Sequence, residues 1–279
     1  MPSPSRTAFG LCPLGFLDLS PPELVTQAAR AGFASVTVRT RPAVPGGPAY
    51  PMQPGDALFE HTRRCVQDTG VAVQMVEQVG LSRDTQAASL RPMLEAGRAL
   101  GATRVLCSGD DVDFALVAER FAALCDLAAE HGMSADMEFM KFRAVQTLED
   151  ALQVLRLAGR PNGRVVVDAL HLFRSGGGAE NVRAAPAALI SSVQLCDAPL
   201  ASPGDDQLAQ EARQARLPIG EGELPLRALL DATPDGALVE VEVPFGDARA
   251  GWPVERRLAL LAESTRRFLA GHLGEASAA

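Results

Sequence analysis

The sequence predicts an α/β protein folded as a single closed (β/α)8 barrel, and three observations lead there. Short β-branched or apolar runs alternate with segments of helical spacing, eight of each, within the roughly 250 residues that such a barrel needs. No Gly-x-Gly-x-x-Gly follows the first run and no Gly-Lys-Ser/Thr occurs anywhere, so the phosphate loops of an open nucleotide-binding sheet are missing. Oxygen-bearing side chains recur at the ends of four successive runs, where they converge only if the sheet closes or curves strongly.

Residues 7–12 form the first apolar run. Ser20 then caps a helix whose first turn takes Pro21 and Pro22, and Gly32 stops it. Residues 34–39 alternate as a second strand, and the Pro- and Gly-rich stretch 42–54 reads as a surface loop over one end of the fold. A helix over 57–69 precedes a strand over 71–79 with Glu77 near its end. A helix over 84–100 closes at Gly101, a strand covers 103–107, and a helix over 113–130 closes at Gly132. The strand 133–139 carries Glu138.

Thr147-Leu148-Glu149-Asp150 resembles a capping box and opens a helix reaching Leu157. A turn over 159–163 leads into Arg164-Val165-Val166-Val167-Asp168. Three consecutive valines stiffen the backbone into a strand. A buried strand that ends on Asp168, with His171 three residues on, marks the edge of an active site. After the glycine cluster 175–178 come a short helix and a strand over 190–196 carrying Gln194. The irregular stretch 197–223 contains Arg213 and Arg216, and its length points to a functional loop. A short helix over 226–230, a strand over 237–243 with Glu242, and a helix over 254–269 complete the barrel, whose core is expected over 7–270 with a frayed tail at 274–279.

With 279 residues, 47% of them apolar, the chain can bury a large core. The net charge is −8 and Lys and Arg are scattered, which excludes the basic face of a nucleic-acid-binding protein. No apolar run approaches the roughly 20 residues of a membrane span, and residues 1–7 lack the apolar core of a secretory signal, so a soluble cytoplasmic protein is expected. Cys12, Cys65, Cys107, Cys125 and Cys196 are widely spaced and odd in number, as buried free thiols in a reducing compartment would be.

In a barrel of this kind function collects at the carboxyl ends of the strands. Glu138, Asp168, Gln194 and Glu242 fall at the ends of strands five to eight. Any one of them alone would read as a surface or salt-bridged residue, but independent surface residues have no reason to recur on four successive strands. Three crowded carboxylates resist ionisation unless a cation sits between them. A single divalent metal ion resolves this, and the all-oxygen donor set suits Mn²⁺, Mg²⁺ or Co²⁺, with Zn²⁺ still open. His171 should lie just above the rim, within reach of substrate. The deeper acids Asp136 and Glu240 share faces with Glu138 and Glu242 by two-residue period and would point into the barrel, paired with an arginine such as Arg39.

Met137-Glu138-Phe139-Met140, Val167-Asp168-Ala169-Leu170-His171, Val193-Gln194-Leu195-Cys196-Asp197, Leu217-Pro218-Ile219-Gly220-Glu221-Gly222-Glu223 and Val241-Glu242-Val243-Pro244 together resemble the xylose-isomerase-like barrels. That family includes sugar phosphate isomerases and epimerases, ketose 3-epimerases, inosose dehydratases and dehydroshikimate dehydratases. The resemblance covers nearly the whole chain. It implies one divalent metal held by Glu138, Asp168, Gln194 and Glu242, with Glu138 and Glu242 as an acid/base pair working through a metal-stabilised enediolate. It implies that His171 touches a substrate oxygen and that Arg213 or Arg216 steadies negative charge near the metal. Many epimerases of the family have histidine where this chain has Gln194, and some dehydratases have glutamine. Lys141, three residues beyond Glu138, is either a solvated lysine or a cationic contact for an acidic substrate.

The expected function is therefore a metal-dependent isomerase or epimerase of a small polyhydroxy carbonyl compound, a sugar or sugar phosphate. The alternative is a dehydratase, a lyase acting on a ketocyclitol or a dehydroshikimate-like acid. The related apurinic endonucleases need many histidines; this chain has 4, and His61, His131 and His272 fall in helical or helix-terminal segments. A non-catalytic barrel would have no reason to keep all four donors. A homo-oligomer formed through the outer helices is compatible with the sequence.

Overall fold

The computed structural model describes residues 8–276 apart from Pro45. Eight parallel strands close into one barrel in sequence order. They are β1 (Gly10–Leu11), β2 (Ser35–Arg39), β3 (Ala72–Leu81), β4 (Arg104–Gly109), β5 (Ser134–Glu138), β6 (Gly163–Asp168), β7 (Ile190–Leu195) and β8 (Leu238–Val241). The helices among the described residues are α1 (Pro21–Ala31), α2 (Ala57–Thr69), α3 (Arg91–Leu100), α4 (Phe114–Glu130), α5 (Leu148–Ala158) and α6 (Ala169–Arg174). They continue with α7 (Ala179–Ala184), α8 (Leu208–Gln214), α9 (Leu226–Ala232), α10 (Asp247–Ala250) and α11 (Val254–Ala276). None is long and apolar enough to cross a membrane.

Local chemistry explains most boundaries. Ser20 and Glu23 form a capping box at the start of α1, and Gly32 ends that helix at φ 86°, a left-handed conformation that costs glycine little. Thr147 and Asp150 cap α5 in the same reciprocal way. Three expectations need correction. The helix expected over 84–100 starts only at Arg91, because Pro92 fits a first turn and not a helix interior; a short 3-10 turn, Ala87–Leu90, precedes it. The irregular stretch 197–223 contains α8, too short to leave a clear period. The last helix runs on to Ala276, past the expected fraying point, and the final residues 277–279 lie outside the described residues, as does Thr7 of the expected first strand.

The principal core lies between the sheet and the helices, where Val25, Leu94, Phe121, Leu124, Val154 and Leu261 are fully buried. Inside the barrel the strands alternate polar and apolar side chains. A lower polar layer joins Arg104 to Asp136 (3.6 Å) and to Glu240 (3.3 Å), and Thr37 donates to Glu240 (3.4 Å). The deep acids are thus paired with an arginine, but it is Arg104 and not Arg39, which register places opposite Glu77. This layer needs glycine at position 10, since a Cβ there would come within 2.6 Å of Ser35 Oγ. Met75, Leu106 and Val166 form a small apolar cluster of their own, separate from the outer core.

Candidate active site

Glu138 is the last residue of β5 and Asp168 the last of β6; Gln194 is the penultimate residue of β7 and Glu242 lies one residue beyond β8. Hydrogen-bonded register sets Asp168 opposite Gln194 and Gln194 opposite Glu240, while the Glu242 amide donates to the Leu195 carbonyl at 3.1 Å. Strand pairing therefore brings all four side chains to one end of the barrel. Glu138 and Glu242 border a cavity of about 350 Å³ whose wall also includes His171, Arg216, Arg39 and Glu77. Its apolar lining includes Leu106, Met140 and Phe142. Asp168 and Gln194 are fully buried and are not part of that wall.

Asp168 has two roles. Its Oδ1 accepts from the His171 amide at 3.0 Å, which caps α6 and swings His171 back over the barrel end. Its Oδ2 accepts from Arg216 Nη1 at 2.5 Å. Ligand atoms of Glu138, Asp168 and His171 all lie within 4.8 Å of one another. The ring of His171 meets Phe142 edge-on, with centroids 5.5 Å apart.

Arg216 is almost fully buried and binds both acids: Nη2 lies 3.1 Å from Glu242 Oε2, and Nε donates to the Ala212 carbonyl at 2.8 Å. Asp197 holds the loop that delivers it. That carboxylate accepts from the backbone of Ala198, Gly220 and Leu224, and Asp197 and Leu217 form an antiparallel bridge. A side chain on Gly222 would strike the Ala198 carbonyl at 2.4 Å, so the loop packs back to back only with glycine there. Of the two arginines in this segment, Arg216 reaches the acids. Arg213 stays exposed on α8, its guanidinium 5.6 Å from the Phe142 ring centre. Lys141 is half-buried in the turn after β5 and is not part of the cavity wall.

Glu77 and Arg39, which carried no site role in the sequence reading, belong to this constellation. Arg39 donates to Glu77 Oε1 through Nε (3.0 Å) and Nη2 (2.5 Å). Arg39 is the last residue of β2, so the same positional rule would have found it; Glu77 lies within β3, where register sets it opposite Arg39. Arg143, in the turn after β5, and Gln78, next to Glu77 on β3, also line the cavity.

The charges do not balance. Glu77, Glu138, Asp168 and Glu242 crowd together, and among the described residues the arginines in contact with them are Arg39 and Arg216, two positive charges against four carboxyls. The deficit shows in the acidities. Burial, then Glu242 and Asp168, push Glu138 well above the usual carboxylate range. Burial lifts Glu242 to about 8 despite Arg216, and Glu77 is raised in the same way. Burial also favours the neutral form of Asp168, but Arg216 and His171 outweigh it and hold that carboxyl low. His171 is driven down to about 4 by burial, so it is neutral near pH 7.

Two features fit a divalent cation. The missing positive charge is twofold, and the Gln194 carbonyl oxygen is buried with no hydrogen-bond partner while its amide nitrogen donates to Cys12 Sγ at 3.3 Å. The residues present therefore match the group that the donor set calls for.

Solved structures resemble the whole chain. The IolI protein with a bound zinc atom superposes with a TM-score of 0.77 at 18% identity, covering 95% of this chain and 99% of that one. A probable 3-DHS dehydratase, AsbF from Bacillus anthracis, gives 0.69 at 17% identity over 92% and 97%. A D-allulose 3-epimerase from Methylomonas sp. gives 0.68 at 17% identity over 98% and 100%. A xylose isomerase-like TIM barrel/4-hydroxyphenylpyruvate dioxygenase fusion protein gives 0.76 at 20% identity; 93% of this chain is covered and spans 42% of that longer one. At these identities the likeness is one of fold, and no curated protein matches by sequence. A family model matches residues 25–265, which span the barrel from α1 to α11 and every strand-end residue described above: the chain belongs to the xylose isomerase-like TIM barrel family.

Proposed function

We propose that the chain is a divalent-metal-dependent isomerase or epimerase of a small polyhydroxy carbonyl compound. The observation that carries the reading is the pair of glutamates from β5 and β8, facing one cavity beside a buried, undercharged donor set. Glu138, Asp168, Gln194 and Glu242 would hold the ion, with His171 close enough to share in the set. Such an ion, Mn²⁺, Mg²⁺, Co²⁺ or Zn²⁺, supplies Lewis acidity that makes a proton beside a carbonyl removable. The side chains do the rest. One glutamate takes that proton and the other returns one from a different direction, since β5 and β8 are not neighbours in the barrel. Arg216 fixes Asp168 and Glu242 in place, and neutral His171 offers a ring nitrogen to a substrate hydroxyl. Met140 and Phe142 keep the reacting carbon away from bulk water.

Dehydration is a second reading. It is supported by the likeness to the probable 3-DHS dehydratase and by Glu242, whose retained proton could go to a departing hydroxyl instead of to carbon.

Elemental analysis of protein purified without chelator tests the proposal. About one divalent ion per chain is expected, with most of it lost in Glu138→Gln and Asp168→Asn. An ion-free wild type that gains no thermal stability from Mn²⁺, Mg²⁺, Co²⁺ or Zn²⁺ would sink it. Mass spectrometry of candidate substrates incubated in D₂O then separates the readings: one deuteron incorporated without loss for the isomerase, loss of water for the lyase.

A further inference from the structure

Three polar side chains on the cavity wall take no part in holding the carboxylate cluster: Gln78, Arg143 and Arg213. Arg213 lies over the Phe142 ring and pairs with no carboxylate among the described residues. Arg143 reaches Asp110 with one nitrogen at 3.2 Å, while its Nε is buried without a partner. Gln78 is 9% exposed, and its amide nitrogen is also unpartnered. Arg39 and Arg216, by contrast, are spent on Glu77, Asp168 and Glu242.

These groups add hydrogen-bond donors to the cavity wall. Guanidinium donates in a planar fork and accepts nothing, so it matches anionic oxygens and not the mixed donors and acceptors of a hydroxyl. A neutral sugar is better received by aromatic faces and amide or carboxylate acceptors, yet the chain's single Trp and single Tyr, Trp252 and Tyr50, are both absent from the wall. In a chain of net charge −8, two arginines beside an otherwise acidic site are not a reflection of overall composition. Arg143 gives one nitrogen to Asp110 and Arg213 none to a carboxylate among the described residues, so both bring N–H donors to the cavity wall, and cationic donors in a concave site steer and hold ligands of the opposite charge.

We infer that the substrate carries an anionic group, a carboxylate or a phosphate, received by Arg143 and Arg213 beside Phe142 while its carbonyl end lies at Glu138 and Glu242. The carbonyl half of this statement rests on the proposed function; the anion half rests on the arginines alone. Arg143, two residues beyond Lys141 in the same turn, lines the cavity wall where Lys141 does not.

Isothermal titration calorimetry on the full chain, with metal content measured in parallel, provides the test. The probes are D-glucuronate, D-glucose 6-phosphate and D-glucose, which share a carbonyl at one end and differ at the other. At least one anionic probe should bind about tenfold more tightly than glucose. In the Arg143→Gln/Arg213→Gln double variant that preference should shrink below about threefold with metal content unchanged. Whichever anion shows the advantage identifies its chemical source. Equal binding of all three probes by the wild type, or an undiminished preference in the double variant, would overturn the inference. Arg213→Gln alone, at an exposed position, covers the case of a double variant that does not fold; it should already weaken the preference, and no weakening counts against the inference. Anion preference in a chain that holds no metal would sink the proposed chemistry and leave the anion subsite standing.

Discussion

Arg216 shows how much of the site's electrostatics one side chain controls. It is almost fully buried and holds Asp168 and Glu242 together. Removing one partner of a buried ion pair leaves a charge with neither water nor counterion, at a cost of about 3–5 kcal/mol. Arg216→Ala should therefore lower stability by an amount of that order in urea denaturation, and an added divalent ion should recover part of the loss. An Arg216→Ala protein as stable as the wild type would show that the two acids are solvated or neutral. That Glu138, Asp168, Gln194 and Glu242 gather at one end of the barrel was legible in the sequence, because position at a strand end is written in the alternation of apolar runs. The choice between Arg213 and Arg216 was not, because it depends on which turn of a loop folds inward. Arg104 was missed as the partner of Asp136 and Glu240 because pairing across a barrel follows register between strands, which no single strand records.

The loop after β7 is the element that most needs its own restraint. Asp197 alone accepts from three backbone amides of it, and those bonds tie the Gly220-Glu221-Gly222 turn against Ala198. Hydrogen bonds to a charged acceptor contribute about 1.5–3 kcal/mol each, so the loop's order hangs on this carboxylate. Asp197→Ala should open the loop to limited proteolysis near Gly220 and weaken metal retention through a displaced Arg216, while the barrel itself stays folded. Cleavage no faster than in the wild type would mean that the Asp197–Leu217 bridge suffices. The helices α1 and α5, whose start and stop residues could be read, began where those residues indicated and ended just before Gly32 and Gly159. Helix α8 was not foreseen: seven residues leave too little periodicity to read, and its place is set by packing of Leu208 and Ala212.

At the scale of the whole molecule, alkaline pH is the informative perturbation. Lys141 is the chain's only lysine and Tyr50 its only tyrosine, so the four buried thiols dominate the response of the fold to alkali. Burial pushes Cys125 and Cys196 up to about 12 and Cys12 and Cys107 well above their ordinary range. A thiol whose folded pKa exceeds its unfolded value of 9.0 favours the fold below that pH and loses the advantage as pH rises toward about 12. Denaturant midpoints should accordingly hold steady up to pH 8 and fall progressively above 9. Maleimide labelling of the native protein at pH 8 should modify the half-buried Cys65 first. Rapid labelling of Cys12 or Cys107 would contradict the packing around them. The barrel as a whole was legible because strand and helix alternate with so few interruptions, and eight such units leave one common way to close.

The apolar trio of Met75, Leu106 and Val166 has a kinetic consequence. Leu106 also lines the cavity, and Arg104, two residues earlier on the same strand, belongs to the lower polar layer with Asp136 and Glu240. The trio is a stopper in the barrel's bore. Under the proposed chemistry, substrate and product would share the one mouth above the trio, so a tightly held product would throttle turnover.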